Sequence, residues 1–392
     1  MESKKYKFWF ITGTQLLYGT KVIEEVDRNS RKIVCSLNDA PELPGIVLYK
    51  GSVVDPQSIR TLINAANSDP ECAGVITWMH TFSPGKMWIS GLLTLQKPYL
   101  HLDTQFYRDI PWDSIDMDYM NLHQSAHGDR EHGYIGTRMR IARKVIAGHW
   151  QDPNVLQKIG RWMRSAIGAF ESRRLKICRF GDNMRSVAVT EGDKVDAEIK
   201  FGWSVDGYGI GDLLHYLEAV TDSEISEQMN QYYKRYEMCT DNIDAVRYQA
   251  KVQVAINSFL DERGYTAFTD TFEDLHGLQQ LPGLAVQDLC AAGYGFGAEG
   301  DWKTAAMCRI MKLMSQGLTG GTSFMEDYSY HFDPKNPGIL GAHMLEVDPS
   351  LASGKPRIEV HPLGIGVRED PARLCFESKN GLAILVSLID LG

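Results

Sequence analysis

The chain has 392 residues, 43% hydrophobic and 23% charged, with a net charge of −9 and a pI near 5.7. That length supports two or three domains with their own cores, and the acidic balance excludes nucleic acid or an anionic membrane as the main partner. No run approaches the ~20 apolar residues of a spanning helix, no N-terminal signal peptide is evident, and seven scattered cysteines without a C-x-x-C fit free thiols in a reducing compartment and offer no zinc-site spacing, so a cytoplasmic location is expected.

The first part alternates strand and helix signals. Residues 6–12 form a short apolar strand ending at Gly13, and a helix follows toward Leu37. Residues 46–49, 72–78 and 98–102 read as further strands, with a helix over 58–68 between the second and third. Strands separated by helices predict a parallel, doubly wound sheet. Ligands of such sheets gather at loops after strand C-terminal ends. Here these are residues 13–19 and 79–85, which carry Gln15, Tyr18, His80 and Thr81.

Residues 155–170 have the apolar spacing of an amphipathic helix, and 171–174 read as a linker. A strand over 175–180 opens a second strand-and-helix region. Its long helix covers 242–263, and a strongly apolar, buried helix covers 302–316. From Thr322 short strands dominate, at 322–332, 339–347, 357–361, 373–377 and 382–389. The last is apolar and would need a partner. The domains are therefore placed at 1–172, 173–321 and 322–392.

Three residues stand out chemically. Read with period 2, the 322–332 strand has one face bearing Phe324, Tyr328, Tyr330 and Phe332, with Glu326 among them. A carboxylate on an aromatic face is costly unless it is paired or binds a metal. His343 falls on the same face as Ile339, Leu345 and Val347 of the next strand. Glu299 lies in the glycine-rich turn 293–300, where glycines let backbone approach a ligand closely. Each also has an ordinary reading: Glu299 as a helix-start acid, Glu326 as the partner of a buried base, and His343 as a satisfied core histidine. Two Glu and one His form an O/N donor set that suits Mn, Mg, Co or Zn. The Gly293–Gly297 run is not G-x-G-x-x-G, no P-loop or G-x-S-x-G occurs, and His123, His127 and His132 lack H-E-x-x-H spacing.

Several longer runs share one resemblance: T-Q-L-L-Y-G (14–19), H-T-F-S-P-G-K-M-W-I (80–89), P-W-D-S-I-D-M-D (111–118), R-F-G-D-N-M-R (179–185), T-F-E-D-L-H-G-L (271–278), A-E-G-D-W-K-T-A-A (298–306), G-G-T-S-F-M-E-D-Y (320–328) and H-M-L-E-V (343–347). Together they resemble the L-arabinose isomerases over essentially the whole chain. The resemblance implies a fucose/arabinose isomerase-like α/β fold: two doubly wound α/β domains followed by a truncated β-rich C-terminal domain. It implies conversion of L-arabinose to L-ribulose, and of D-galactose to D-tagatose, with a divalent metal. That metal is commonly Mn²⁺, with Co²⁺, Mg²⁺ or Zn²⁺ as alternatives.

By the same resemblance Glu299, Glu326 and His343 are metal ligands. Glu299 and Glu326 also form the acid–base pair of an ene-diol route, with a metal-assisted hydride shift as the rival. Gln15, Leu17, Tyr18, Met184, Phe272 and Tyr328 face the substrate. Gln124 and His127 line the site, in the family often from a neighbouring subunit, so a homo-oligomer with sites near subunit interfaces is implied. Family members continue beyond this length and take a fourth ligand, a histidine, from that region. Water, His361, His331 or a neighbouring subunit is expected to complete the sphere, or else the site binds metal weakly. The alternative expectation is a catalytically impaired sugar-binding or regulatory relative.

Overall fold

A computed structural model describes residues 6–365 and 368–391. The chain divides into two units, Met1–Phe170 and Glu171–Gly392. In the first, strands β1 (Lys7–Gly13), β2 (Ile46–Val53), β3 (Cys72–Met79), β4 (Tyr99–Asp103) and β5 (Lys144–Ala147) form one parallel sheet in the order β2-β1-β3-β4-β5. All eight residues of β3 are buried, as expected of a central parallel strand covered on both faces. The fifth strand was not expected: it is a short edge strand with one buried residue, Ile146, too little apolar signal to read.

The helix Thr20–Asp39 buries Val26, Asn29, Ser30, Ile33, Val34 and Leu37, a stripe of helical period. Full burial of Ile33 and Leu37 contributes about 1.5–3 kcal/mol each. The helix expected over 58–68 begins earlier, at Pro56. Asp55 accepts from the Ser58 amide at 2.7 Å, and proline at the first position has the required φ.

His80 is not presented to a ligand. It is fully buried, stacks on Trp78 with ring centroids 4.5 Å apart, and lies 3.0 Å from the Asn29 amide nitrogen. Burial pushes its pKa down to about 3. An unfolded histidine titrates near 6.5, so this stabilisation is complete above that pH and is lost as pH falls toward the folded value. At about pH 5 the expected loss is about 2 kcal/mol. Urea unfolding near pH 8 and pH 5 measures it, and His80→Gln should remove that part of the slope. An identical slope in the variant would contradict the assignment.

In the second unit, β6 (Lys176–Phe180) and β7 (Ser204–Tyr208) are followed by the two-residue β8 (Glu237–Met238), then β9 (Ala267–Asp270) and β10 (Gly295–Gly297). A second parallel sheet has the order β10-β9-β6-β7. Strands β11 (Glu326–His331) and β12 (Gly338–Ala342) form an antiparallel hairpin. Strands β13 (Arg357–Val360) and β14 (Ala372–Cys375) pair antiparallel, and β13 also pairs parallel with β8. The β-rich end thus shares a sheet with a strand from much earlier in the chain. Ile358, Ala372 and Leu374 pack with Tyr232, Tyr236 and Leu284 in one apolar cluster.

Three expectations are corrected here. Residues 382–389 lie in no strand. They have no ladder partner to satisfy an extended backbone, and Leu382 and Leu385 are exposed. The aromatic face of the hairpin is not buried: Tyr328, Tyr330 and Phe332 are exposed. A register shift between Asp327 and Ser329 breaks the alternation that the period-2 reading assumed. His343 follows the end of β12 rather than continuing it.

The glycine-rich segment is also built for packing. A Cβ on Gly295 would overlap the Ala305 carbonyl oxygen, and one on Gly297 would press on the Asp301 carbonyl. These glycines let β10 lie against the helix Trp302–Ser315. Gly295→Ala is expected to destabilise by about 3 kcal/mol, the upper range of overpacking costs. An unchanged urea midpoint would refute this.

Candidate active site

The C-terminal ends of β6, β9 and β10 lead into the loops that shape the candidate site. The loop after β6 is tied to the loop after β9: the Asp182 amide donates to Asp274 at 2.8 Å, and Arg185 pairs with Glu273 at 2.6 Å and Asp274 at 2.8 Å. The turn after β10 is pinned to both. The Glu299 carbonyl accepts from the Met184 amide and the Asp270 carbonyl from the Gly300 amide, each at 2.9 Å. Glu299 itself has φ of 62°, a left-handed conformation that costs a non-glycine residue on the order of 1 kcal/mol or more. The neighbouring contacts hold it there. The helix that follows is capped by Asp301, which accepts from the Lys303 and Thr304 amides. Glu299 lines a pocket instead, with Asp270, Phe272, Tyr328, His343 and Glu346.

Around His343 the chemistry is dense. Its Nε2 lies 3.8 Å from a Glu326 carboxylate oxygen, and its Nδ1 is hydrogen-bonded to Glu346. Phe324 meets its ring edge-on at 4.9 Å between centroids. Burial works against a charge on this ring, but the Glu346 hydrogen bond and the charges of Glu346, Glu326 and Glu299 raise its pKa. Glu299 and Glu326 both have raised pKa values. Burial is the main cause in each; His343 opposes it, and neighbouring carboxylates add to it. Buried Asp270 is pushed up to about 7 by desolvation, reinforced by Glu346 and opposed by His343.

Glu299, Glu326 and His343 are therefore brought together, with Phe272 and Tyr328 beside them and Met184 on the adjoining loop. Gln15, Leu17, Tyr18, Gln124 and His127 belong to the first unit. There the loop after β1 meets the loop after β3 through Thr14 and Thr81, whose hydroxyls are 2.8 Å apart. Ser125, next to Gln124, donates to the His80 carbonyl at 3.3 Å, and His127 stacks on Phe82 at 4.3 Å. Leu17 is 80% exposed. His361, one expected completion of the metal sphere, lies 2.7 Å from Glu359 and is not among the residues that line the pocket. His331 is exposed at the end of β11.

Sequence reasoning missed Asp270 and Glu346. Asp270 ends a parallel strand, the position where ligands gather, and that signal was readable. Glu346 sits three residues after His343, and an assumed strand put it on the opposite face.

Parallel α/β sheets with a pocket of carboxylates, a histidine and aromatics at the strand ends define a small-molecule site of the enzyme type. Three family models match in succession: the L-arabinose isomerase N-terminal domain over residues 2–174, the central domain over 176–317 and the C-terminal domain over 321–392. The chain belongs to the L-arabinose isomerase family and is an isomerase. The L-arabinose isomerase of Anoxybacillus flavithermus is 58% identical, covering 99% of this chain and 79% of that protein. That of Clostridium beijerinckii is 58% identical over 100% and 80%, and that of Thermotoga petrophila 55% over 100% and 79%. Among the described residues no helix is long and apolar enough to cross a membrane.

Proposed function

We propose that this chain interconverts L-arabinose and L-ribulose, and D-galactose and D-tagatose, by acid–base chemistry at Glu299 and Glu326 with a divalent metal, Mn²⁺ foremost. The observation that carries this reading is the convergence of two carboxyls on His343 beside the pocket. A carboxyl positioned at a reacting carbon or oxygen can both accept and return a proton.

The donor set fits the metal. Two carboxylates and one imidazole suit a hard or borderline ion, and because Glu346 holds Nδ1, Nε2 would be the nitrogen offered to it. Glu299, Glu326 and His343 would hold it, and it would polarise the sugar carbonyl and stabilise developing negative charge on oxygen. Of the two acids, one takes the proton from C2, beside the carbonyl, and a proton is returned from it to C1. The other moves a proton between the two sugar oxygens through an ene-diol. Met184, Phe272 and Tyr328, from the same unit as the two acids, face the sugar.

L-Arabinose deuterated at C2 tests the route. Loss of label to solvent during turnover supports proton relay through the carboxyls. Complete retention of the label at C1 of the ketose would overturn it in favour of a direct hydride shift.

A further inference from the structure

Sheet pairing assembles a second donor set that sequence spacing did not reveal. Glu359, on β13, and Cys375, at the end of β14, come together with His361, just beyond β13; one ligand atom from each lies within 4.8 Å of the other two. The register explains why. Arg357 pairs with Cys375 and Glu359 with Arg373, while the alternate residues Ile358 and Leu374 are buried. Residues 357, 359 and 375 therefore share the opposite face. His361 Nε2 lies 2.7 Å from one Glu359 oxygen, and Arg357 Nε donates to the other at 2.8 Å. None of the three donors lines the pocket described above.

We propose that Glu359, His361 and Cys375 bind a borderline-soft divalent cation of the Zn²⁺ or Co²⁺ type, clipping β13 to β14, with water in the fourth position. Bonds of ~2.0–2.3 Å put tetrahedral donors ~3.3–3.8 Å apart, so closure requires side-chain movement of about 1 Å. One sulfur, one nitrogen and one oxygen favour such an ion over Mg²⁺ or Ca²⁺. Arg357 orients the carboxylate from behind, as outer-shell partners do. Binding releases the thiol proton of Cys375 to solvent, and Glu359 and His361 turn their facing O and N atoms from each other to the ion.

The test uses the intact chain titrated with Co²⁺. The isomerase pocket has no cysteine in its lining, so a near-ultraviolet thiolate-to-cobalt charge-transfer band does not come from it. The band is expected in the wild type, at an intensity of one thiolate per chain. It should vanish in Cys375→Ser, need about tenfold or more Co²⁺ in His361→Ala, and survive in Cys239→Ser, which removes the exposed thiol on the neighbouring strand end. It should also survive in Glu299→Gln, so failure of the isomerase reading and of this one are separable. Zn²⁺ should raise the Tm of the wild type and not of Cys375→Ser. Circular dichroism checks that each variant is folded. No band in the wild type, an unchanged band in Cys375→Ser, or its loss in Cys239→Ser would overturn the proposal.

Discussion

Glu299→Gln and Glu326→Gln are each expected to lower turnover by about 10³-fold, within the range for loss of a general acid or base, while the fold is kept. Glutamine is nearly isosteric but cannot exchange a proton. Glu299 has its geometry set by backbone bonds, to Met184 through its own carbonyl and to Asp270 through Gly300, and those do not depend on the carboxyl. Both carboxyls have pKa values raised chiefly by burial, so the charged form is held at a cost. Removing it should leave thermal stability unchanged or slightly higher in metal-free protein. Lost activity with kept stability marks a group retained for chemistry rather than packing. Steady-state assay and a thermal melt on each variant measure both, and wild-type activity in either one would exclude its role.

The second large effect is on metal affinity. His343→Ala is expected to weaken Mn²⁺ binding by more than the ~10–100-fold typical of losing an outer-shell partner, and Glu346→Gln by about that range. The histidine supplies the only nitrogen donor in the set. Glu346 holds its other nitrogen, so the glutamine variant loosens the ring without deleting the ligand. The raised pKa of His343 adds a pH dependence. Below that pKa the ring is protonated and competes with the ion, so affinity should tighten as pH rises and a proton should be released on binding. Calorimetry in two buffers of different ionisation enthalpy reads affinity and proton count together. Equal Mn²⁺ affinity in wild type and His343→Ala would remove the histidine from the sphere.

What the sequence made legible follows burial. Strands β1, β3 and β4 were readable because their apolar runs are buried, edge strand β2 through the short apolar run 46–49 alone, and the helix over 155–170 because its stripe is wide. Edge strand β5, with only Ile146 inside, left no such mark. The apolar run 382–389 misled in the opposite direction, since hydrophobicity alone does not supply a ladder partner. Around the site, Glu326 and His343 were singled out by assuming a regular, buried β face. The structure brings them to 3.8 Å by a different route, through a bulged, exposed hairpin and a turn. The glycines before Glu299 looked like ligand-facing backbone, and Gly295 and Gly297 also serve helix packing. The Glu359, His361 and Cys375 cluster depends on β-sheet register, which spacing along the chain does not encode.

The most direct measurement is ketose formation from L-arabinose by the purified chain stripped with EDTA, with and without added Mn²⁺. The expected result is L-ribulose only when the metal is restored. No ketose from folded protein under either condition would contradict the proposed activity, and equal turnover without metal would contradict the role given to Glu299, Glu326 and His343 as its ligands.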